Sequence, residues 1–369
     1  MQHRRAHRGG TPLGARDRRS PLLLAVLCIQ AVVCAGVSSA AVPAVNIDGD
    51  GTVHVPAQTV PASSLLSPQA RSYLREHLQI VTRHPELMAP ENGVPRYFKH
   101  YLERQRTLYP VVEQDSKIGG VHVLTYTPKV GVSARNRDRV LITLHGGGFG
   151  GCWPGCGELE SIPIAALGRI TVISVDYREA PEARFPAASE DVAAVYRALL
   201  QTHRRENIGI YGCSAGGMLT AMAMAWFQRH DLPNPGAIGI FCSGAGAQQG
   251  SSFGGDSERT VLPLSEGRMS MPAPLAYLAG TDPRDPLVAP INSPKTLARF
   301  PPTLIVTGTR AFDFSASVYT HGQLVRAGVP AQLNVWEGLM HAFFYNPDIP
   351  ESRDCYDVIV RFFDRRLGT

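Results

Sequence analysis

At 369 residues, 44% hydrophobic and 18% charged, the chain has the length and composition of one large folded domain with appended elements, which excludes an intrinsically disordered protein. Its formal charge of +5 would suit an anionic partner, yet Arg4, Arg5, Arg8, Arg16, Arg18 and Arg19 all precede the apolar segment Leu22 to Val37. Without that stretch the basic excess largely vanishes, so no nucleic-acid partner is expected.

In chain order, an arginine-rich start, an apolar run too short for a comfortable bilayer span and the small residues Ser38-Ser39-Ala40 form a secretory-signal pattern, with cleavage expected near Ala40. That assigns residues 1–40 to a signal peptide and the mature chain to the periplasm or the medium, with no stable membrane span left. A retained N-terminal anchor is the alternative. Seven cysteines then fall to five, because Cys28 and Cys34 leave with the signal. Cys152 and Cys156 lie close enough in one loop to bridge in an oxidising compartment or to stay as two thiols. A Cys-x-x-x-Cys with no second pair and no nearby His-x-x-x-His is poor ground for zinc, so no metal is expected. Cys242 reads as a small buried hydrophobe on a strand.

Asn46-Ile47-Asp48-Gly49-Asp50-Gly51 imitates the start of a calcium loop, but its twelfth position is Ala57, where a bidentate glutamate is required; a turn before a short extended segment is expected instead. Ser67-Pro68 opens a helical pattern with Leu74 and Leu78 on one face, and Tyr97, Phe98, Tyr101 and Leu102 mark a second. Such helices ahead of a core suggest a cap over a pocket, or simple packing onto that core.

From Gly120 the pattern changes. Strands are expected at Val121 to Tyr126, Val140 to Leu144, Thr171 to Val175, Ile208 to Tyr211, Ala237 to Phe241, Thr303 to Val306 and Gln332 to Val335. Helices are expected at Ala187 to Leu200, Ala215 to Arg229, Ser315 to Ala327 and Ser352 to Leu367. Continuous apolar strands separated by helices predict an α/β fold with a mostly parallel central sheet covered on both faces. The Gly-, Pro- and Ser-rich stretch from Gly244 to about Phe300 is too long for a connector and is expected to complete the cap.

Two motifs carry chemistry. Gly212-Cys213-Ser214-Ala215-Gly216-Gly217 brackets a serine with glycines where a strand turns sharply into a helix, which is the form of a nucleophile elbow. Upstream, His145-Gly146-Gly147-Gly148-Phe149 follows a strand. Glycines there let backbone N–H groups approach an oxyanion, so Gly147 and Gly148, with Ala215 at the start of the elbow helix, are the expected oxyanion donors. No Gly-Lys-Ser/Thr follows the triple glycine, so a nucleotide loop is a weak reading. His145 is expected to shape the loop rather than transfer protons.

A serine hydroxyl needs a base and the base needs an orienting acid. His341 follows the last expected strand and precedes the last helix, where such a base belongs. His321, His122 and His203 lie within or beside other elements and compete poorly. The acid chosen is Asp313, the one carboxylate just beyond the strand Thr303 to Val306. Asp282 and Asp285 come before that strand and are expected to fix a turn, while Glu337 sits on the wrong side of the histidine loop.

At these residues the chain resembles the hormone-sensitive-lipase-like branch of the α/β-hydrolases, the bacterial carboxylesterases with an HGGG loop. The matching features are His145 to Phe149, Asp176-Tyr177-Arg178, Ala180-Pro181-Glu182, Phe185-Pro186-Ala187-Ala188, Gly212 to Gly217, and His341-Ala342-Phe343. The resemblance runs from roughly Leu65 to the C-terminus. It implies an α/β-hydrolase catalytic domain over 117–369, with a cap insertion at about 245–300, behind an N-terminal segment and cap helices over 41–116. It further implies that Ser214 attacks an ester carbonyl, that His341 moves the proton, that an acyl-enzyme forms, and that no cofactor takes part. Short- to medium-chain acyl esters are the implied substrates. An amidase or lactonase using the same residues, and a ligand-binding protein on the same scaffold, are the rival readings; the oligomeric state, including a homo-oligomer, stays open. The chain departs from the family twice: Cys213 stands where an Asp usually precedes the nucleophile, and Ala311 stands where the acid usually falls, which displaces that role to Asp313. Trp153, Pro154, Tyr97 and Phe98 are expected either to wall an acyl pocket or to pack.

Overall fold

The computed structural model describes residues 46–54, 59–246 and 276–368, with the backbone of two short strands at Leu264–Ser265 and Arg268–Met269. The expected signal segment and its cleavage site lie outside the described residues, as does the part of the expected cap insertion between 247 and 275 apart from those four strand residues. The chain divides into two units, 1–60 and 61–369. In the first, Asn46–Ile47 pairs antiparallel with Val53–His54. Between them Gly51 donates to the Asp48 carbonyl at 3.0 Å and Thr52 to Asp50 Oδ1 at 2.9 Å, so this acidic stretch makes the expected turn.

The second unit is built on an eight-stranded sheet. Its strands are β1 (Val111–Ile118), β2 (Val121–Pro128), β3 (Val140–Leu144), β4 (Thr171–Val175), β5 (Ile208–Cys213), β6 (Ala237–Phe241), β7 (Thr303–Gly308) and β8 (Ala331–Trp336). They lie in the order β8-β7-β6-β5-β3-β4-β2-β1, and every pairing from β4 through β8 is parallel while β2 runs antiparallel to both its neighbours. The central strands β3, β5, β6 and β7 are buried along their whole length, which is why they read as unbroken apolar runs.

The helices are α1 (Pro68–Arg83), α2 (Lys99–Leu108), α3 (Gly155–Gly168), α4 (Ala187–Leu199), α5 (Ala215–Arg229), α6 (Phe314–Arg326) and α7 (Pro350–Arg366), besides shorter turns. Leu159 and Ile162 of α3 share one apolar cluster with Tyr356 and Ile359 of α7. A second cluster holds Val192 and Val195 of α4, Leu219 and Met222 of α5, and Leu324 of α6. The sheet is thus covered on both faces. Tyr73 and Leu74 of α1 and Tyr101 and Leu102 of α2 join the first cluster, and Ser67 caps α1 by accepting from the Ala70 amide at 3.0 Å.

Two elements differ from expectation. β1 is polar in sequence, with four consecutive exposed residues, and becomes a strand because it pairs with β2 from Val111↔Pro128 to Ile118↔Val121 as the sheet edge. The stretch read as a loop around Cys156 is the start of α3, although Gly155, Gly157 and Pro163 are poor helix formers. Every residue from Gly155 to Ala165 is buried, so tertiary packing overrides that propensity. Cys242 lies one residue past β6 rather than on it, with φ +48°. Among the described residues no helix is long and apolar enough to cross a membrane.

Candidate active site

The elbow forms where β5 passes into α5. Ser214 takes φ +58° and ψ −120°, a state costly for any residue with a side chain and held only because its surroundings leave no alternative. The glycines around it are dictated by contact rather than flexibility: a Cβ at Gly216 would lie 1.7 Å from the Leu144 carbonyl oxygen, and one at Gly212 would lie 2.3 Å from the same atom. The end of β3 therefore presses directly on the turn. Ser214 is half-buried, and its N–H donates to the Phe241 carbonyl at the end of β6 at 2.9 Å.

The acid and the base meet on the same edge of the sheet. His341 Nδ1 lies 2.7 Å from Asp313 Oδ1, with side chains 16% and 5% exposed. The other carboxylate oxygen, Oδ2, accepts from Thr307 Oγ1 at 2.6 Å and from Ser317 Oγ at 3.2 Å. The displaced acid reaches its partner through the turn after β7. There the Arg310 amide donates to Leu339 O at 3.0 Å and Thr309 donates to Trp336 O at 3.0 Å, which carries the β7–β8 pairing into the two loops. Ala311 is fully buried at this turn, and Asp313 stands two residues later, immediately before α6, without a side-chain bond to the helix amides. Phe312 stacks on the His341 ring at 4.2 Å between centroids.

The histidine loop is also tied to the elbow. Ala342 donates to Cys242 Sγ at 3.3 Å, and Cys242 and Cys213 are buried in the same apolar cluster. Burial raises both thiols above the ordinary range, Cys213 the more, so they are poor nucleophiles. Cys242, Asp313 and His341 offer ligand atoms within 4.8 Å of one another. With Nδ1 and Oδ1 in direct hydrogen-bond contact, the group has the form of an acid–base pair with a packed thiol beside it.

Gly147 and Gly148 take φ +116° and +67°, and their amides meet no acceptor among the described residues. A Cβ at Gly147 would lie 1.8 Å from the Gly151 carbonyl, where the loop folds back on itself. Ala215 is the first residue of α5, so its N–H has no intrahelical acceptor. His145 is buried; its Nδ1–H donates to Gly146 O at 2.7 Å and its ring stacks on Tyr177 at 4.2 Å. Burial pulls that imidazole down to about 4, so it is neutral and shapes the loop.

The remaining carboxylates fall away from this edge. Asp282 and Asp285 accept the amides of Arg284 and Leu287, both at 2.9 Å, as turn residues. Glu337 is exposed. Tyr97 and Phe98 are buried in the apolar cluster, with Phe98 edge-on to Tyr345 at 5.2 Å, and so serve packing. The Trp153 ring lies 5.5 Å from His145, and Cys152 and Cys156 are joined as a disulfide directly after the glycine loop.

Sequence reasoning missed Glu160. It is 3% exposed on α3, and its Oε1 accepts from the Gly146 amide at 2.9 Å and from Tyr345 Oη at 2.6 Å, while Oε2 accepts from the Cys213 amide at 3.2 Å. Burial pushes its carboxyl up to about 8. Two acids, Glu158 and Glu160, on a helix whose other side chains are mostly apolar were the available signal.

The profile of the alpha/beta hydrolase fold matches residues 141–345. An acetyl-hydrolase of Streptomyces hygroscopicus is 31% identical over 238 residues, which are 64% of this chain and 78% of that protein. The crystal structure of an esterase, E25, is similar with a TM-score of 0.72 at 28% identity, over 85% of this chain and 99% of its own. A hormone-sensitive lipase from a metagenome library is similar with a TM-score of 0.65 at 26% identity, over 80% of this chain and 98% of its own.

Proposed function

From a chain that belongs to the hormone-sensitive-lipase-like esterases of the alpha/beta-hydrolase family, and is thereby a hydrolase of carboxylic esters, we propose a serine carboxylesterase acting on short- to medium-chain acyl esters through an acyl-enzyme. The observation that carries this reading is the 2.7 Å pair of His341 Nδ1 and Asp313 Oδ1 on the sheet edge where Ser214 is held at φ +58°.

In this mechanism Asp313 holds the proton on His341 Nδ1, which makes Nε2 the acceptor of the Ser214 proton as Oγ attacks the ester carbonyl. The carbonyl oxygen becomes anionic and is met by the amides of Gly147, Gly148 and Ala215 at the positive end of α5. His341 then protonates the departing alcohol, and water activated by the same imidazole cleaves the acyl-enzyme. Within the second unit, residues 61–116 are proposed to cap the acyl pocket. Export is proposed from the pattern of residues 1–40, and the Cys152–Cys156 disulfide supports an oxidising compartment.

The test is a p-nitrophenyl ester series of increasing acyl length on the parent protein and on Ser214→Ala. Hydrolysis should favour acetyl to hexanoyl chains and vanish in the variant, and the parent should yield a stoichiometric serine adduct with a phosphonate ester by mass spectrometry. Undiminished turnover in Ser214→Ala would rule the mechanism out.

A further inference from the structure

The proposed oxyanion donors come from two separate stretches of backbone, Gly147 and Gly148 after β3 and Ala215 after β5, and a site of this kind works only if the two are held to within about 0.5 Å of one another. The β3–β5 ladder cannot do this alone, since its last pair is Leu144↔Gly212. Just past that point the chains part, one into the glycine loop and the other into the elbow. Glu160 fills the gap. One carboxyl oxygen takes the Gly146 amide at 2.9 Å, one residue before Gly147, and the other takes the Cys213 amide at 3.2 Å, one residue before Ser214. Tyr345, four residues after His341, donates to the same carboxyl at 2.6 Å. One side chain thus touches the backbone leading to the donors, the backbone leading to the nucleophile, and the segment following the base.

Space filling does not account for it. A carboxyl with 3% exposure carries a desolvation cost that a leucine or methionine would avoid, and its neighbours Leu159, Tyr211 and Phe344 are apolar or aromatic. Only an acceptor with two oxygens can satisfy both amides at once while fixing their separation. A carboxamide of the same shape presents an NH2 to one of them, and the unsatisfied donor must move.

We propose that Glu160 is a positioning residue for the ester-cleaving reaction: its carboxyl continues the β3–β5 ladder beyond the last strand pair and sets the distance between the glycine loop and the nucleophile elbow. This rests on the serine esterase reading above. It acts on the chemical step rather than on substrate binding, because neither amide it holds faces the acyl chain in that reading.

The experiment compares the parent, Ser214→Ala and Glu160→Gln on p-nitrophenyl butyrate, with kcat expressed per reactive serine as counted by complete titration with a p-nitrophenyl phosphonate. Glu160→Gln should lower kcat per titrated site ten- to hundredfold with KM within threefold, the scale of a displaced oxyanion donor. A kcat per site above one fifth of the parent's, or a loss carried by KM with kcat kept, overturns the proposal. If Glu160→Gln yields no folded protein, Glu160→Asp is read by the same ratio, since the shorter arm reaches only one of the two amides. A parent without esterase activity, or a fully active Ser214→Ala, would instead defeat the underlying reading, so the two failures are distinct.

Discussion

Replacing Asp313 by Asn tests the displaced acid with almost no change in shape. Thr307 Oγ1 donates to Asp313 Oδ2 at 2.6 Å, and that hydroxyl will hold the carboxamide oxygen of an asparagine in the same place. The NH2 group then falls at the Oδ1 position, 2.7 Å from His341 Nδ1. A donor facing Nδ1 forces the ring proton onto Nε2, the nitrogen that must accept from Ser214. The base is therefore blocked by tautomer rather than by distance. Wrong-tautomer variants of this kind lose about 10⁴ in kcat, or about 5 kcal/mol of transition-state stabilisation. Steady-state hydrolysis of p-nitrophenyl butyrate measures the loss, with thermal unfolding as the check that the fold persists. Asp282→Asn is the control: that carboxylate is exposed and pairs with Arg284 at 3.2 Å, so turnover should be unchanged. Asp313→Asn within tenfold of the parent, or a large loss in Asp282→Asn, would refute the reasoning.

Glycines at two helical positions should respond in opposite senses to alanine. Gly216→Ala places a Cβ 1.7 Å from the Leu144 carbonyl and should prevent folding of the elbow, seen as loss of soluble protein. Gly322→Ala, on α6 with nothing within 4 Å, should raise stability by about 0.5–1 kcal/mol in denaturant titration with turnover unchanged. The His145 ring, pulled down to about 4 by burial, should show no titration above pH 5 in its NMR ring resonances. Because the unfolded chain binds that proton near 6.5 and the native state does not, stability should fall as pH drops from 6.5 towards 4, by up to about 3 kcal/mol from this residue. A His145 resonance titrating near 6.5 would contradict that burial.

Much of this fold could be read from residue order because its strongest signals are local. The central strands are buried on both faces and so appear as unbroken apolar runs; Ala187–Leu199 and Ala215–Arg229 came out within a residue of their limits. Asp313, His341 and Ser214 were legible because each sits just beyond a strand end, where a parallel sheet presents side chains to a common edge. β1 and α3 were not legible, since a polar edge strand is made by its partner and a helix containing Gly155, Gly157 and Pro163 is made by burial. Glu160 escaped notice for a related reason: its acceptors matter only through amides 14 and 53 residues away.

The amino-acid order by itself determined which groups could react, because a nucleophile, a base and glycines that admit bare amides are properties of residue type and spacing. Only the tertiary structure decided whether those groups meet. The pairing of Asp313 with His341 depends on two loops stitched together beyond β7 and β8, and the link between Gly146 and Cys213 depends on a carboxyl from a third element. Contacts between distant stretches of chain are fixed by packing and register, and neither is written in any single stretch of sequence.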